Sequence, residues 1–315
     1  MMMHNKRSRS DRFYSILKNV FFLLLILQFL PVVFSGLRST LEDTLSGKVH
    51  VGYLTINGEI KDAAFYIKKI DDFAKASDIK GLMLRINSPG GYSGACQVVF
   101  NELKKFKEKK PIVAVIENIG ASGAYYIAAV SNSIIASPLS LVGSIGVFME
   151  LPNVKDLLAS WKVQYRYVQS GTYKTVGSAV KDLTSSEQAY LQQLSDNQYD
   201  QFVQDIAQVR QLDSKNHTQW ADGKVFTGNQ ALALKLIDRV GSFSDAREEM
   251  QRILETEEEL KFVQPKKAPG FMRLFGAEED FGQESMSMSD RVATFLSAVY
   301  QKFVTQQSSI QPQLI

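Results

Sequence analysis

The chain has 315 residues, 45% of them hydrophobic and 22% charged, which suits one large or two small folded domains and excludes a disordered or collagen-like polymer. Its net charge of +3 sits at the front: residues 1–18 hold Lys6, Arg7, Arg9, Arg12 and Lys18 against Asp11, so the remainder is slightly acidic and carries no nucleic-acid signature. A single cysteine, Cys96, excludes an intrachain disulfide or a thiolate metal cluster, and its apolar helical setting reads as a buried, inert thiol. His4, His50 and His217 stand apart from one another and from any carboxylate pair at ligand spacing, so no metal or cofactor is expected.

No charge falls between Lys18 and Arg38, and residues 20–34 are apolar apart from Gln28. The uncharged segment 19–37 is just long enough to cross a hydrocarbon core of about 30 Å. The basic tail, residues 1–18, would stay in the cytoplasm and send everything after Arg38 outward. A cleaved signal peptide is the competing reading, with Val33 and Ser35 at the cleavage site. The length of the run and its leucine-rich middle favour an uncleaved anchor.

Residues 38–48 are a polar linker. Beyond it, strand and helix patterns alternate. Residues 50–56 alternate with period two and end at Asn57-Gly58, a strand followed by a turn. Residues 63–76 have helical spacing, 81–86 are a short strand, 95–106 a helix and 112–116 a continuous apolar strand. Residues 123–130 are again helical, and 133–136, 143–148 and 165–168 read as strands. Such alternation predicts an α/β fold with a parallel sheet and flanking helices. The basic run from Lys104 to Lys110 ends a predicted helix, where it complements the dipole and faces water. Thr184-Ser185-Ser186-Glu187 is a capping box opening a long amphipathic helix to Val209. Shorter helices at 231–236 and 245–254 flank a brief extended piece at Arg239-Val240. The body is expected to span 49–260, with 261–315 a partly flexible tail that could hold one more helix at 289–304.

Three glycine-marked loops follow three of these strands. The first is Asn87-Ser88-Pro89-Gly90-Gly91, where paired glycines let the main chain approach a ligand and the Gly91 amide could face a developing oxyanion. The second, Asn118-Ile119-Gly120-Ala121-Ser122-Gly123-Ala124-Tyr125-Tyr126, lifts a hydroxyl to the end of a strand and the start of an apolar helix. It is not the Gly-x-Ser-x-Gly elbow of esterases, because the glycine follows the serine directly. The Gly123 amide is the natural second oxyanion donor. The third loop is Val142-Gly143-Ser144-Ile145-Gly146. A serine hydroxyl needs a base, and no histidine is suitably placed, so a Ser-His-Asp triad is not expected. Lys174, between glycines in Ser170-Gly171-Thr172-Tyr173-Lys174-Thr175-Val176-Gly177, is the candidate, provided burial strips water from its amine.

Together, residues 87–91, 120–126, 143–147 and 170–174 resemble the signal peptide peptidase A (SppA) family, membrane-anchored serine–lysine peptidases of bacteria, in its half-length form. The similarity runs from about residue 49 to 244 and includes the N-terminal anchor. It implies a ClpP/crotonase-like fold with a single N-terminal transmembrane helix, and a homo-oligomeric ring in which the lysine can come from a neighbouring protomer. By the same resemblance Ser122 is the nucleophile, Lys174 the general base, Ser144 the residue that orients the lysine amine and Gly91 an oxyanion donor. It implies location on the bacterial inner membrane, with the catalytic domain on the periplasmic side and cleaved signal peptides or other unstructured apolar peptides as substrates. Ala179 stands where many members have proline. Two other readings share the fold: a crotonase-type acyl-CoA enzyme, which needs neither Ser122 nor Lys174, and an inactive scaffold that organises membrane partners.

Overall fold

The computed structural model describes residues 18–20, 23 and 47–264. The expected anchor at 19–37 lies almost wholly outside the described residues, as does the helix expected at 289–304; among those described, no helix is long and apolar enough to cross a membrane.

Five strands and three helices build the centre, alternating as far as β4: β1 (Val49–Ile60), α1 (Ala64–Lys75), β2 (Ile79–Gly91), α2 (Ser93–Lys107), β3 (Ile112–Ala121), α3 (Gly123–Ala129), β4 (Ser133–Ala136) and then β5 (Leu141–Gly143). A second group follows: α4 (Lys155–Ser160), α5 (Ser185–Arg210), β6 (Val225–Thr227), α6 (Gly228–Ala233), β7 (Arg239–Val240), α7 (Phe243–Ile253) and β8 (Leu260–Val263). The sheet runs β6-β5-β3-β2-β1-β8, with β4 and β7 branching from β3. Every pairing is parallel except β5 with β6. The expected α/β class with a mostly parallel sheet is therefore what forms.

The apolar runs in β2 and β3 are continuous because both sheet faces are covered. Leu82, Leu84, Ile86, Ala114 and Ile116 pack under α1, α2 and α3 in the main core, whereas Met83, Val113 and Val115 meet Ala246 and Met250 of α7 on the other side. Arg85 interrupts the run, and its guanidinium donates to both carboxylate oxygens of Glu117 at 2.7 and 2.8 Å. Buried residues of α2 (Cys96, Val99, Phe100, Leu103, Phe106) recur at helical spacing, and all of α3 is buried.

The sequence expectations need correction at several points. Asn57-Gly58 is not a turn: β1 continues to Ile60 past an irregularity at Gly58, where φ is +67°. Opposite it, Ser88 donates from Oγ to the Gly58 carbonyl at 2.5 Å and accepts from the Gly90 amide at 3.1 Å, so the 87–91 loop is instead the end of β2. The strand expected at 143–148 stops at Gly143, because Gly143 and Ser144 both take positive φ. The strand expected at 165–168 is absent; that stretch is exposed and irregular. The folded sheet runs past 260, since β8 pairs with the start of β1.

The lysines around α2 are only partly a solvated face. Lys107 donates to the Ser131 carbonyl, and Lys110 donates to the carbonyls of Phe73 and Ala76 at the end of α1. Both amines are held below their usual range, first by burial.

Candidate active site

The carboxyl ends of β2, β3 and β5 converge, and the three glycine loops come with them. β3 passes straight into α3 at Ser122, whose backbone sits at φ 52° and ψ −126°. A side-chain-bearing residue in that region costs on the order of 1–3 kcal/mol and persists only where its surroundings dictate it. Here they do. The Ser122 amide donates to the Gly143 carbonyl at 2.7 Å, while the Ser122 carbonyl accepts from Tyr126 at 3.0 Å. The result is the sharp strand-to-helix turn that exposes a nucleophile in hydrolase elbows, reached with a different glycine pattern.

The end of β2 lies against this turn. A Cβ on Gly90, where φ is +107°, would lie 2.8 Å from the Gly123 nitrogen and 2.9 Å from the Ser122 Cβ. A Cβ on Gly123 would lie 3.4 Å from the Gly91 nitrogen and 2.3 Å from Cys96 Sγ. The Tyr92 amide donates back to Ile60 of β1 at 2.9 Å. Successive amides in a strand point to opposite edges, so the Gly91 N–H faces away from β1, toward Gly123. The backbones carrying the Gly91 and Gly123 amides thus come together beside Ser122. At 90 the positive φ and the backbone of the turn leave room for glycine alone, whereas at 123 it is the Cys96 side chain that a Cβ would strike.

A cavity of about 370 Å³ opens from this point between α2, α3 and α5. Gly91, Ser122 and Gly123 line it, together with the buried Cys96, Tyr126 and Phe202. The Tyr126 ring stacks on Phe100 at 4.3 Å and leans on Phe202 at 4.7 Å, and its hydroxyl donates to Asp205. Burial, with Asp205 second, pushes that phenol far above its usual range. Burial likewise pushes the Cys96 thiol up to about 12, so it packs as a small hydrophobe and is no nucleophile.

Of the five residues singled out in the sequence, the fold brings Gly91, Ser122 and Gly123 together. Ser144 is half-buried in the adjoining loop, one residue past the carbonyl that holds Ser122, with φ at 50° and its amide donating to Lys224 at 2.7 Å. Lys174 is not brought to the cavity. It lies exposed in a turn whose amide donates to Gly171 at 3.2 Å, within a largely exposed stretch carrying Trp161, Tyr165, Tyr167 and Val168. His50 pairs with Asp78, and His217 with the Ser214 carbonyl; neither lines the cavity. Sequence reading missed the contribution of α5, whose amphipathic pattern gave no sign that one face would wall a cavity.

Residues 104–257 match the profile of peptidase family S49. A candidate protease of Methanocaldococcus jannaschii is 35% identical over 193 residues, covering 61% of this chain and 62% of that one. A candidate signal peptide peptidase, SppA, of Enterococcus faecium is 30% identical over 229 residues, covering 68% of this chain and 66% of that one. The chain spans under two thirds of either relative's length. The catalytic domain of the ClpP protease of Plasmodium falciparum superposes over 60% of this chain with a TM-score of 0.40 and 13% identity, a likeness too distant to assign a role to any residue. With the profile spanning the strand and helix that present Ser122, and an SppA among its relatives, the chain belongs to peptidase family S49.

Proposed function

We propose that the chain is a serine endopeptidase working through an acyl-enzyme. Ser122 Oγ attacks the scissile carbonyl, and its proton passes to the neutral amine of Lys174. The amides of Gly91 and Gly123 hold the tetrahedral oxyanion until the C–N bond breaks. Lys174 then gives the proton to the leaving amine, and water repeats the sequence to release the acid. Ser144 orients the amine. The observation that carries this reading is the strained backbone of Ser122, because a scaffold gains nothing from holding a serine at that cost.

An exposed lysine is a poor base; desolvation is what makes its amine accessible. Covering by a neighbouring protomer supplies that desolvation, and an oligomeric ring of chains anchored through 19–37 with their bodies outside the cytoplasm accommodates it. Its substrates are unstructured apolar peptides, cleaved signal peptides among them, consistent with the name of the Enterococcus relative.

The test is the full-length chain in detergent, assayed on fluorogenic peptides. Ser122→Ala should lower turnover at least a thousand-fold and abolish labelling by a serine-acylating probe. Labelling of the unaltered chain at a residue other than Ser122 would sink the assignment.

A further inference from the structure

The cavity beside Ser122 has no charged side chain in its lining. Its buried lining, Cys96, Tyr126 and Phe202, is largely apolar, and a set of carboxamides completes it: Gln97 from α2, and Asn197, Gln198 and Gln201 from α5. On α5 Gln201 lies one turn on from both Asn197 and Gln198, so all three reach the same cavity. Asp205 reaches the floor only through the Tyr126 hydroxyl, from which it already accepts.

Resting on the peptidase reading, we propose that this cavity receives the side chain of the residue whose carbonyl Ser122 attacks, and that Gln97 and Gln201 select there for a long uncharged side chain with a hydrogen-bonding end, of the glutamine or tyrosine kind. About 370 Å³ is the liquid volume of roughly a dozen waters, ample for one large side chain. The body of that side chain is taken out of water against Tyr126 and Phe202. Its end meets amides that both donate and accept, so a phenol or carboxamide finds a partner. An alkyl or phenyl end displaces water from those amides and returns nothing. A charged end is refused more strongly, because no lining group compensates it. The preference is thus narrower than a general taste for apolar peptides.

The experiment compares matched fluorogenic peptides that differ only at this residue. The unaltered chain should cleave the Tyr peptide about five-fold better than the Phe peptide, and Gln about five-fold better than Leu, in kcat/KM. Lys and Glu peptides should fall roughly a hundred-fold lower. In a Gln97→Leu/Gln201→Leu double variant the Tyr:Phe and Gln:Leu ratios should drop to one or below. In Gln201→Glu the Lys:Tyr ratio should rise about ten-fold, a gain no general loosening of the fold produces. Ratios taken within one protein cancel losses of folding or concentration. Unchanged ratios in the double variant, or a preference of the unaltered chain for Phe and Leu, overturn the proposal while leaving the peptidase intact. Failure to cleave any peptide, with Ser122 unlabelled, overturns the peptidase and this inference together.

Discussion

The two halves of the proposed catalytic apparatus are built very differently. Around Ser122 everything is clamped: the turn is held by Gly143 and Tyr126, and the end of β2 abuts it at distances that admit only glycine. The stretch around Lys174 is mostly open, with Trp161 at 66%, Tyr165 at 64% and Val168 at 106% of full exposure. Large exposed apolar side chains gathered in one stretch suit the covering by a neighbouring protomer proposed above. One chain's core suffices to strain a serine and bring the Gly91 and Gly123 backbones against it. It does not by itself desolvate a lysine.

The sharpest way to break this contrast is complementation. Lys174→Ala alone should lose at least a hundred-fold in turnover. If the lysine acts across a subunit boundary, co-assembling Ser122→Ala and Lys174→Ala chains should restore a measurable fraction, since mixed neighbours contain one intact pair. No recovery in demonstrably mixed assemblies would return Lys174 to its own chain. Full activity of Lys174→Ala would remove it from the mechanism.

A second prediction sharpens the rigid side. In Gly123→Ala the new methyl meets Cys96 Sγ at 2.3 Å, so the turn or α2 must move. Overpacking of this kind costs about 1–3 kcal/mol in stability. Displacing one oxyanion donor costs roughly a hundred-fold in turnover. Adding Cys96→Ala removes the sulfur and leaves only a tight 3.0 Å contact with Cβ. The pair should therefore be non-additive, recovering about 1 kcal/mol in a urea-melt cycle. Strict additivity would mean the two residues do not touch.

The contrast also explains what could be read from the sequence. Buried parallel strands announce themselves as apolar runs, so β2, β3 and β4 were legible, and the Thr184–Glu187 capping box marks the start of α5 to the residue. Positions where the backbone leaves its usual regions were not. Gly58 looks like a turn because Asn-Gly usually is one; only the hydrogen bond from Ser88 reveals a strand irregularity. The site was legible as glycine-flanked polar residues, but the convergence of Gly91 on Gly123 depends on strand register, which composition does not encode. Residues 165–168 have strand-like chemistry, and among the described residues no strand pairs with them. A β pattern reports a surface fit for pairing, not the presence of a partner.

Beneath the rigid half, Arg210 at the end of α5 donates to both oxygens of Asp238, at 2.8 and 3.0 Å, and to the Lys235 carbonyl. Its side chain is 7% exposed. Arg210→Met should cost about 2 kcal/mol: it removes the hydrogen bonds of a nearly buried guanidinium, while Asp238, which also caps β4 through the Ile134 amide, is 38% exposed and keeps part of its hydration. The Arg85–Glu117 pair, at 42% and 31% exposure, is the control: Arg85→Met should cost under about 1 kcal/mol. Equal losses in chemical denaturation would show that burial does not set the difference.

The smallest effect lies where the exposed stretch rejoins α5. Glu187 accepts from Lys181, and with Thr184 it closes the capping box. The Lys181 hydrogen bond first, and the Thr184 amide second, hold its carboxyl below the usual 4.5. A carboxyl depressed in the folded state takes up its proton more readily once unfolded. The stability it adds is therefore complete above pH 4.5 and is lost as the pH falls through the folded-state value. Glu187→Gln keeps an acceptor for the cap but has no charge to titrate. Urea midpoints measured between about pH 6 and pH 3 should fall less steeply for the variant than for the unaltered chain. If the two slopes coincide, the tie between Lys181 and Glu187 adds nothing, and the open stretch is held to α5 by the backbone and by the Tyr173–Tyr190 ring contact at 4.9 Å.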